Sequence, residues 1–163
     1  MERSLLTNLL GKPPEIVTYA TKKIPKSEIE HQEREKSIGK WQQQWDHATK
    51  ELATKEFFPN IKDRLKTKIN LTRNFTAMIT AHGKTRSYLH RFKIIASPEC
   101  HCANGNQTED HLLYQCGKLN NEREKLIAYI SKEDIWPVKK NELVNKYLKQ
   151  FTNFTNSINY GKL

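Results

Sequence analysis

The sequence predicts a mainly α-helical protein, several short amphipathic helices carrying one small Cys-Cys-His-Cys zinc-knuckle module. Apolar residues recur at helical spacing in successive stretches, with no sustained alternation that would build a sheet. All three cysteines of the 163-residue chain fall within residues 100–116, with a histidine between them. Hydrophobic residues make up 36% against 28% charged, so a modest core must lie under a very polar surface.

Residues 1–24 read as a weakly ordered segment. "GKPP" (11–14) breaks any helix begun by "LLTNLL", because proline removes a donor and restricts its predecessor. Alternation in "EIVTYAT" allows one short strand with no partner. No apolar run approaches the ~20 residues of a membrane span, and the opening lacks a secretory core with a cleavage site. The expectation is a soluble, non-secreted chain acting in the nucleus or cytoplasm, and an odd cysteine count argues against a disulfide framework.

Residues 25–96 form a basic helical region. Its first helix follows "IPKSEIE", where Ser27 and Glu30 make a capping-box pattern. Ile38, Trp41 and Trp45 recur at i, i+3 and i+7, a stripe expected to be core, with Gly39 a possible close packing point. "FFPNIKDRLKTKIN" is broken at Pro59. Thr72 caps a helix ending at Gly83, and a second helix runs from Lys84 to about Phe92. Phe75, Met78 and Ile79 make one apolar face. Tyr88, Leu89 and Phe92 make the next, ringed by Lys84, Arg86, His90, Arg91 and Lys93. Two short helices about a glycine have the outline of a helix-turn-helix, a weak signal by itself.

Residues 119–163 give two further stripes. Leu119, Leu126, Ile127 and Ile130 form one. Leu143, Tyr147, Leu148, Phe151 and Phe154 form the other, expected to fold back on the tryptophan helix.

The net charge of +10 is concentrated. Residues 55–93 hold ten Lys/Arg against two Asp/Glu, whereas the flanks carry nine against eight on either side. A basic block of this size is the footprint of a polyanion-binding surface. Its bland alternative is a solvated face without a partner.

Residues 97–118 carry the most specific pattern, Cys100-x-Cys102-x8-His111-x4-Cys116. Zinc takes four N or S donors in a tetrahedron, and two cysteines one residue apart supply one edge from a tight turn. Pro98 and "ANGN" (103–106) provide the turn chemistry. Thr108 then caps a short helix with Glu109 and Asp110 in its first turn, His111 near its start, and Cys116 and Gly117 at its end. Leu112 and Leu113 turn inward. Four soft donors leave no open position, so one structural Zn²⁺ is expected. His101 lies between two ligands and faces away from the site both share.

The segment "TAHGKTRSYLHRFKIIASPECHCANGNQTEDHLLYQC" resembles the region after the RNase H domain in the second open reading frame of insect non-LTR (LINE-type) retrotransposons. There a "GHG…YLHRF" element leads into a Cys-Cys-His-Cys knuckle. The likeness extends through Trp41 and Trp45, "FFP" (57–59), and "ER..L" (Glu122 to Leu126), covering roughly residues 25 to 130. Ala81 departs from it, since the family commonly has glycine there. The resemblance implies that Cys100, Cys102, His111 and Cys116 ligate zinc. It also implies that the reverse transcriptase, endonuclease and RNase H domains of such polyproteins lie before this region.

RNase H chemistry needs several carboxylates on a mixed sheet around Mg²⁺, and the sequence offers neither that sheet nor a P-loop or nucleophile triad. The expected function is therefore non-catalytic binding of RNA or DNA. Lys84, Arg86, Arg91 and Lys93 would contact phosphates and Tyr88 would stack, with no membrane partner. The competing expectation is a zinc-stabilised protein-interaction module. Lys84, Arg86, Arg91 and Lys93 on one face beside the knuckle would favour nucleic acid; their scatter would favour the interaction module.

Overall fold

The computed structural model describes residues 24–50 and 52–163, so the expected strand and helix break before residue 24 lie outside the described residues. Pro25 starts helix α1 (Lys26–His47): its φ of −57° already suits a helix entry, so the first turn forms at Lys26. Ser27 therefore lies inside the helix, and the Ser27–Glu30 capping box does not form. Helices α2 (Leu52–Phe57) and α3 (Ile61–Lys66) flank Pro59, and Asn60 caps α3 by accepting from the Asp63 N–H at 3.0 Å.

Thr72 caps α4 (Arg73–Thr80) as the sequence predicts, its Oγ1 accepting from the Phe75 N–H at 3.2 Å. The helix stops three residues before Gly83, because Ala81 takes up the left-handed conformation at φ 59°. An L-residue there carries a strain of about 1–2 kcal/mol that glycine avoids. The turn thus survives without the family's glycine. Thr85 caps α5 (Arg86–Arg91), accepting from the Tyr88 N–H at 3.3 Å.

After the cysteine-bearing segment come α6 (Asn120–Ile130), α7 (Lys140–Asn145) and α8 (Leu148–Ser157). No strand occurs among the described residues; one isolated antiparallel bridge pairs Glu99 with Asn106. No described helix is long and apolar enough to cross a membrane.

Phe151 of α8 organises the core. Its ring stacks on Phe57 of α2 at 5.5 Å and meets Phe75 of α4 edge-on at 5.6 Å. Met78, Leu126, Ile130, Leu143, Val144 and Tyr147 close around it, and Leu112, Leu113, Cys100 and Cys116 belong to the same apolar cluster. The cysteine segment is therefore continuous with the core of the helices.

Two expectations fail. Helix α8 packs on α4, α6 and α7, while α1 packs on α3. The aromatic positions of α8 are satisfied by Phe57 and Phe75, leaving nothing for α1 to cover. Second, no side chain of α1 is buried, and Trp41 is 48% exposed. A stripe one residue wide can meet only one thin neighbour, so α1 is tethered by polar contacts instead. The indole N–H of Trp45 donates to the Phe58 carbonyl at 2.8 Å, and Gln42 bridges Pro59 and Ile61. Gly39 has open space where a Cβ would stand, so it is not a packing point. The Tyr88–Leu89–Phe92 face is half-buried at Tyr88 and Leu89 and 56% exposed at Phe92.

Candidate metal centre

A tight hairpin presents the first two donors. The Cys100 N–H donates to the Gly105 carbonyl at 2.9 Å, the Ala103 N–H to the Cys100 carbonyl at 2.9 Å, and the Gln107 N–H to the Pro98 carbonyl at 2.9 Å. Left-handed Ala103 (φ 58°) and Gly105 (φ 94°) reverse the chain. Cys100 and Cys102, two residues apart, direct their sulfurs to one side.

The other two donors come from a single turn. Thr108 Oγ1 accepts from the His111 N–H at 3.1 Å, as the capping pattern predicts. The turn that follows, His111–Gln115, is π-helical, and the Cys116 N–H donates to the His111 carbonyl at 2.7 Å. In an α-helix, residues five apart would lie about 140° round from one another. The wider turn returns Cys116 to the side of His111, which explains how a x4 spacing serves one site. Gly117 does not terminate it; the chain runs on through a 3₁₀ turn, Gly117–Leu119, into α6.

The four donor atoms of Cys100, Cys102, His111 and Cys116 lie within 4.8 Å of one another. The Cys100 and Cys116 sulfurs are 3.7 Å apart, close to the ~3.8 Å edge of a tetrahedron with metal–sulfur bonds of about 2.3 Å. Cys102 Sγ is 3.1 Å from His111 Nε2, which identifies the nitrogen facing the cluster. Cys100, His111 and Cys116 are buried and Cys102 half-buried, whereas His101 is exposed and outside the set.

Burial opposes ionisation of Cys102, but hydrogen bonds from the Asn104 backbone, Cys100, His111 and Cys116 bring its thiol down to about 6. Burial and the adjacent thiols push Cys116 up to about 11. Thiols this close resist losing more than one proton, and a divalent cation is what makes three thiolates favourable together. Such a closed three-sulfur, one-nitrogen set fits a structural metal ion.

Three side chains unread as site residues in the sequence hold this loop. Arg123, buried on α6, donates from Nε to the Leu113 carbonyl at 2.9 Å. Its Nη2 reaches the carbonyls of Cys116 at 2.6 Å and Leu112 at 3.3 Å, so one guanidinium satisfies the exposed end of the π-turn. Burial lowers its pKa, with Cys116 acting against that shift. Gln107, fully buried, accepts from the Arg86 N–H at 2.9 Å and donates to the Leu163 carbonyl at 2.8 Å. Lys140 pairs with Asp110 at 2.5 Å and with Glu56. Burial disfavours its charge, yet the two carboxylates outweigh that and raise its pKa. Arg123 falls in the "ER..L" segment of the family resemblance, the only sequence signal for it; nothing local distinguishes Gln107 or Lys140.

The Gln107 carbonyl also accepts from the Ser87 N–H at 3.2 Å, and Thr85 donates to Glu109 at 3.1 Å, so α5 is bonded directly to the metal loop. Lys84, Arg86, Arg91 and Lys93 nevertheless do not share one face, the outcome expected of a protein-interaction module and not of a nucleic-acid surface. Lys84 turns toward α4 and the carboxy-terminal segment, donating to Asn74 and lying 5.3 Å over the Tyr160 ring. Arg86 is half-buried, its Nε enclosed without a partner. Arg91 and Lys93 are exposed at the far end of α5, and Arg91 stacks on half-buried Tyr88. Tyr114 packs against Trp136 at 5.6 Å and is half-buried.

No protein-family model matches the chain, and no solved structure matches it. Among curated proteins it is similar to the "Retrovirus-related Pol polyprotein from type-1 retrotransposable element R1" of Popillia japonica. The two are 29% identical over 102 residues, which is 60% of this chain and 39% of the relative. The match thus spans well under half of that polyprotein's length, and it supports an origin in a non-LTR retrotransposon polyprotein.

Proposed function

We propose that this chain is a zinc-stapled, non-catalytic nucleic-acid-binding module of a non-LTR retrotransposon polyprotein. It would lie after the RNase H domain and hold the element's RNA or DNA for the polymerase. The observation that carries this reading is the bonding of basic helix α5 to the four-donor loop through Gln107 and Glu109. The metal fixes the loop, and the loop fixes the cationic helix. Zinc suits the soft, closed donor set, and Cys100, Cys102, His111 and Cys116 would hold it. The similarity to a retrotransposon Pol polyprotein supports a nucleic-acid partner. Among the described residues the one cluster of three or more metal-ligating side chains is this closed set, which supports a structural role over Mg²⁺-dependent chemistry.

The test is a salt titration of binding to single-stranded RNA, duplex DNA and heparin, with zinc content measured on the same sample. One zinc per chain is expected, with log affinity falling about 0.7–0.9 per phosphate contact against log salt. Replacing Lys84, Arg86, Arg91 and Lys93 together by alanine should flatten that slope, most of the change coming from Arg91 and Lys93. Zinc-loaded protein that binds none of the three polyanions would overturn the reading. A protein-interaction module would then lead, favoured by the scatter of Lys84, Arg86, Arg91 and Lys93 and by the exposed apolar side chains of Ile29, Trp41 and Leu65 on α1 and α3.

A further inference from the structure

We infer that the Arg91 end of α5 is a stacking platform for unpaired nucleotides, so that the ligand is single-stranded nucleic acid; this rests on the nucleic-acid reading above. Three rings stand in a row at the surface. His82 and Tyr88 are 5.3 Å apart and Tyr88 and Phe92 4.7 Å, centroid to centroid. The outermost, Phe92, is 56% exposed and is followed by Ile94 at 64%. The Arg91 guanidinium lies 5.2 Å from the Tyr88 centroid and 5.1 Å from that of Phe92. The rings are tilted by 56° and 42°, so each turns its own face, and a guanidinium held over rings keeps its N–H edge for a phosphate.

Lys93 adds a second, independent observation. The Ile94 N–H donates to the Leu89 carbonyl at 3.0 Å and the Lys93 N–H to the His90 carbonyl at 2.8 Å. This is the helix ending whose left-handed residue is usually glycine, yet here it is Lys93 at φ 57°. Lys93 is exposed and directly follows Phe92, so a lysine stands where this turn usually has glycine, next in sequence to the outermost ring. A cleft of about 420 Å³, lined by Lys50, Leu52, Thr80 and Ala81 together with Arg91 and His82 of the ring row, adjoins that row. Cations flanking exposed ring faces suit a strand whose bases are free to stack. A duplex hides its base faces and offers only phosphates and edges.

The test compares an oligouridylate of about twelve nucleotides with a blunt duplex of the same length, using full-length zinc-loaded protein. Phe92→Leu keeps an apolar side chain and removes the ring. It should weaken oligouridylate binding about 5- to 150-fold and leave duplex binding unchanged. Lys93→Gly should raise the melting temperature while lowering oligouridylate affinity and reducing the salt slope by about 0.7. Unchanged oligouridylate affinity in Phe92→Leu, with zinc content and circular dichroism intact, would overturn the platform, as would an equal loss for both probes. In that case wild-type binding still upholds the nucleic-acid reading, whereas wild-type protein that binds neither probe overturns both.

Discussion

Among the described residues, the longest helix and the irregular cysteine-bearing segment invert the usual relation between secondary structure and burial. Helix α1 has 22 residues and no buried side chain, whereas the segment from Cys100 to Leu119 buries Cys100, Gln107, His111, Leu112, Leu113, Cys116 and Leu119. Helix α1 satisfies its own backbone and needs little from its surroundings. The loop does not: its carbonyls and amides are answered one by one by Arg123, Thr108, Gly105 and Pro98. An irregular loop can sit in a core only where something other than a helix or sheet supplies its partners. Here a buried guanidinium donates to the loop's carbonyls, and in the proposed function a zinc ion is held by the loop's own side chains.

The largest expected effect is loss of the metal. Chelation, or Cys116→Ser, should destabilise the whole protein by at least about 3 kcal/mol, because the ligands share the core with Phe75 and Phe151. Acidification should do the same, since every ligand must be deprotonated to bind. Amide exchange should accelerate first at Cys100, Gln107 and Cys116 and leave the interior of α1 unchanged. A melting curve insensitive to chelator, on protein shown to contain zinc, would break the comparison.

Next comes Arg123→Met. It keeps the buried bulk and strands the carbonyls of Leu112, Leu113 and Cys116, for an expected loss of about 2–4 kcal/mol in thermal or urea unfolding. Metal affinity, read by competition with a chromophoric chelator, should fall about 10- to 100-fold. An unaltered affinity would mean the π-turn holds its shape unaided.

Helix α1 should yield the smallest changes. Trp45→Phe removes the hydrogen bond to the Phe58 carbonyl and should cost about 1 kcal/mol, whereas Trp41→Ala should cost less than about 0.5 kcal/mol. Urea titrations of the two variants sharpen the contrast between a tethering tryptophan and an exposed one. A large effect of Trp41→Ala would show that α1 is covered in solution.

The sequence by itself determined which four donor side chains would come together, the helical class, and the caps at Thr72 and Thr108. Each is a short-range relation, donor type at close spacing or a hydroxyl three residues before an amide. The stripes of α4, α6 and α8 were legible for a similar reason: Phe75, Leu126 and Phe151 lie on faces dense enough to need a core. The stripe of Ile38, Trp41 and Trp45 and that of Tyr88, Leu89 and Phe92 also follow helical periodicity, yet none of their side chains is fully buried. Periodicity states that a face could be buried, but which faces meet is a competition for limited core volume. Phe57, Phe75 and Phe151 filled that volume with one another. Only the tertiary structure decided that the turn at His111 would be π-helical, that Arg123 would close it, and that Lys84 and Arg91 would part to two sides of α5. These outcomes depend on partners distant in sequence or on the shape of the space left for them, which no local pattern encodes.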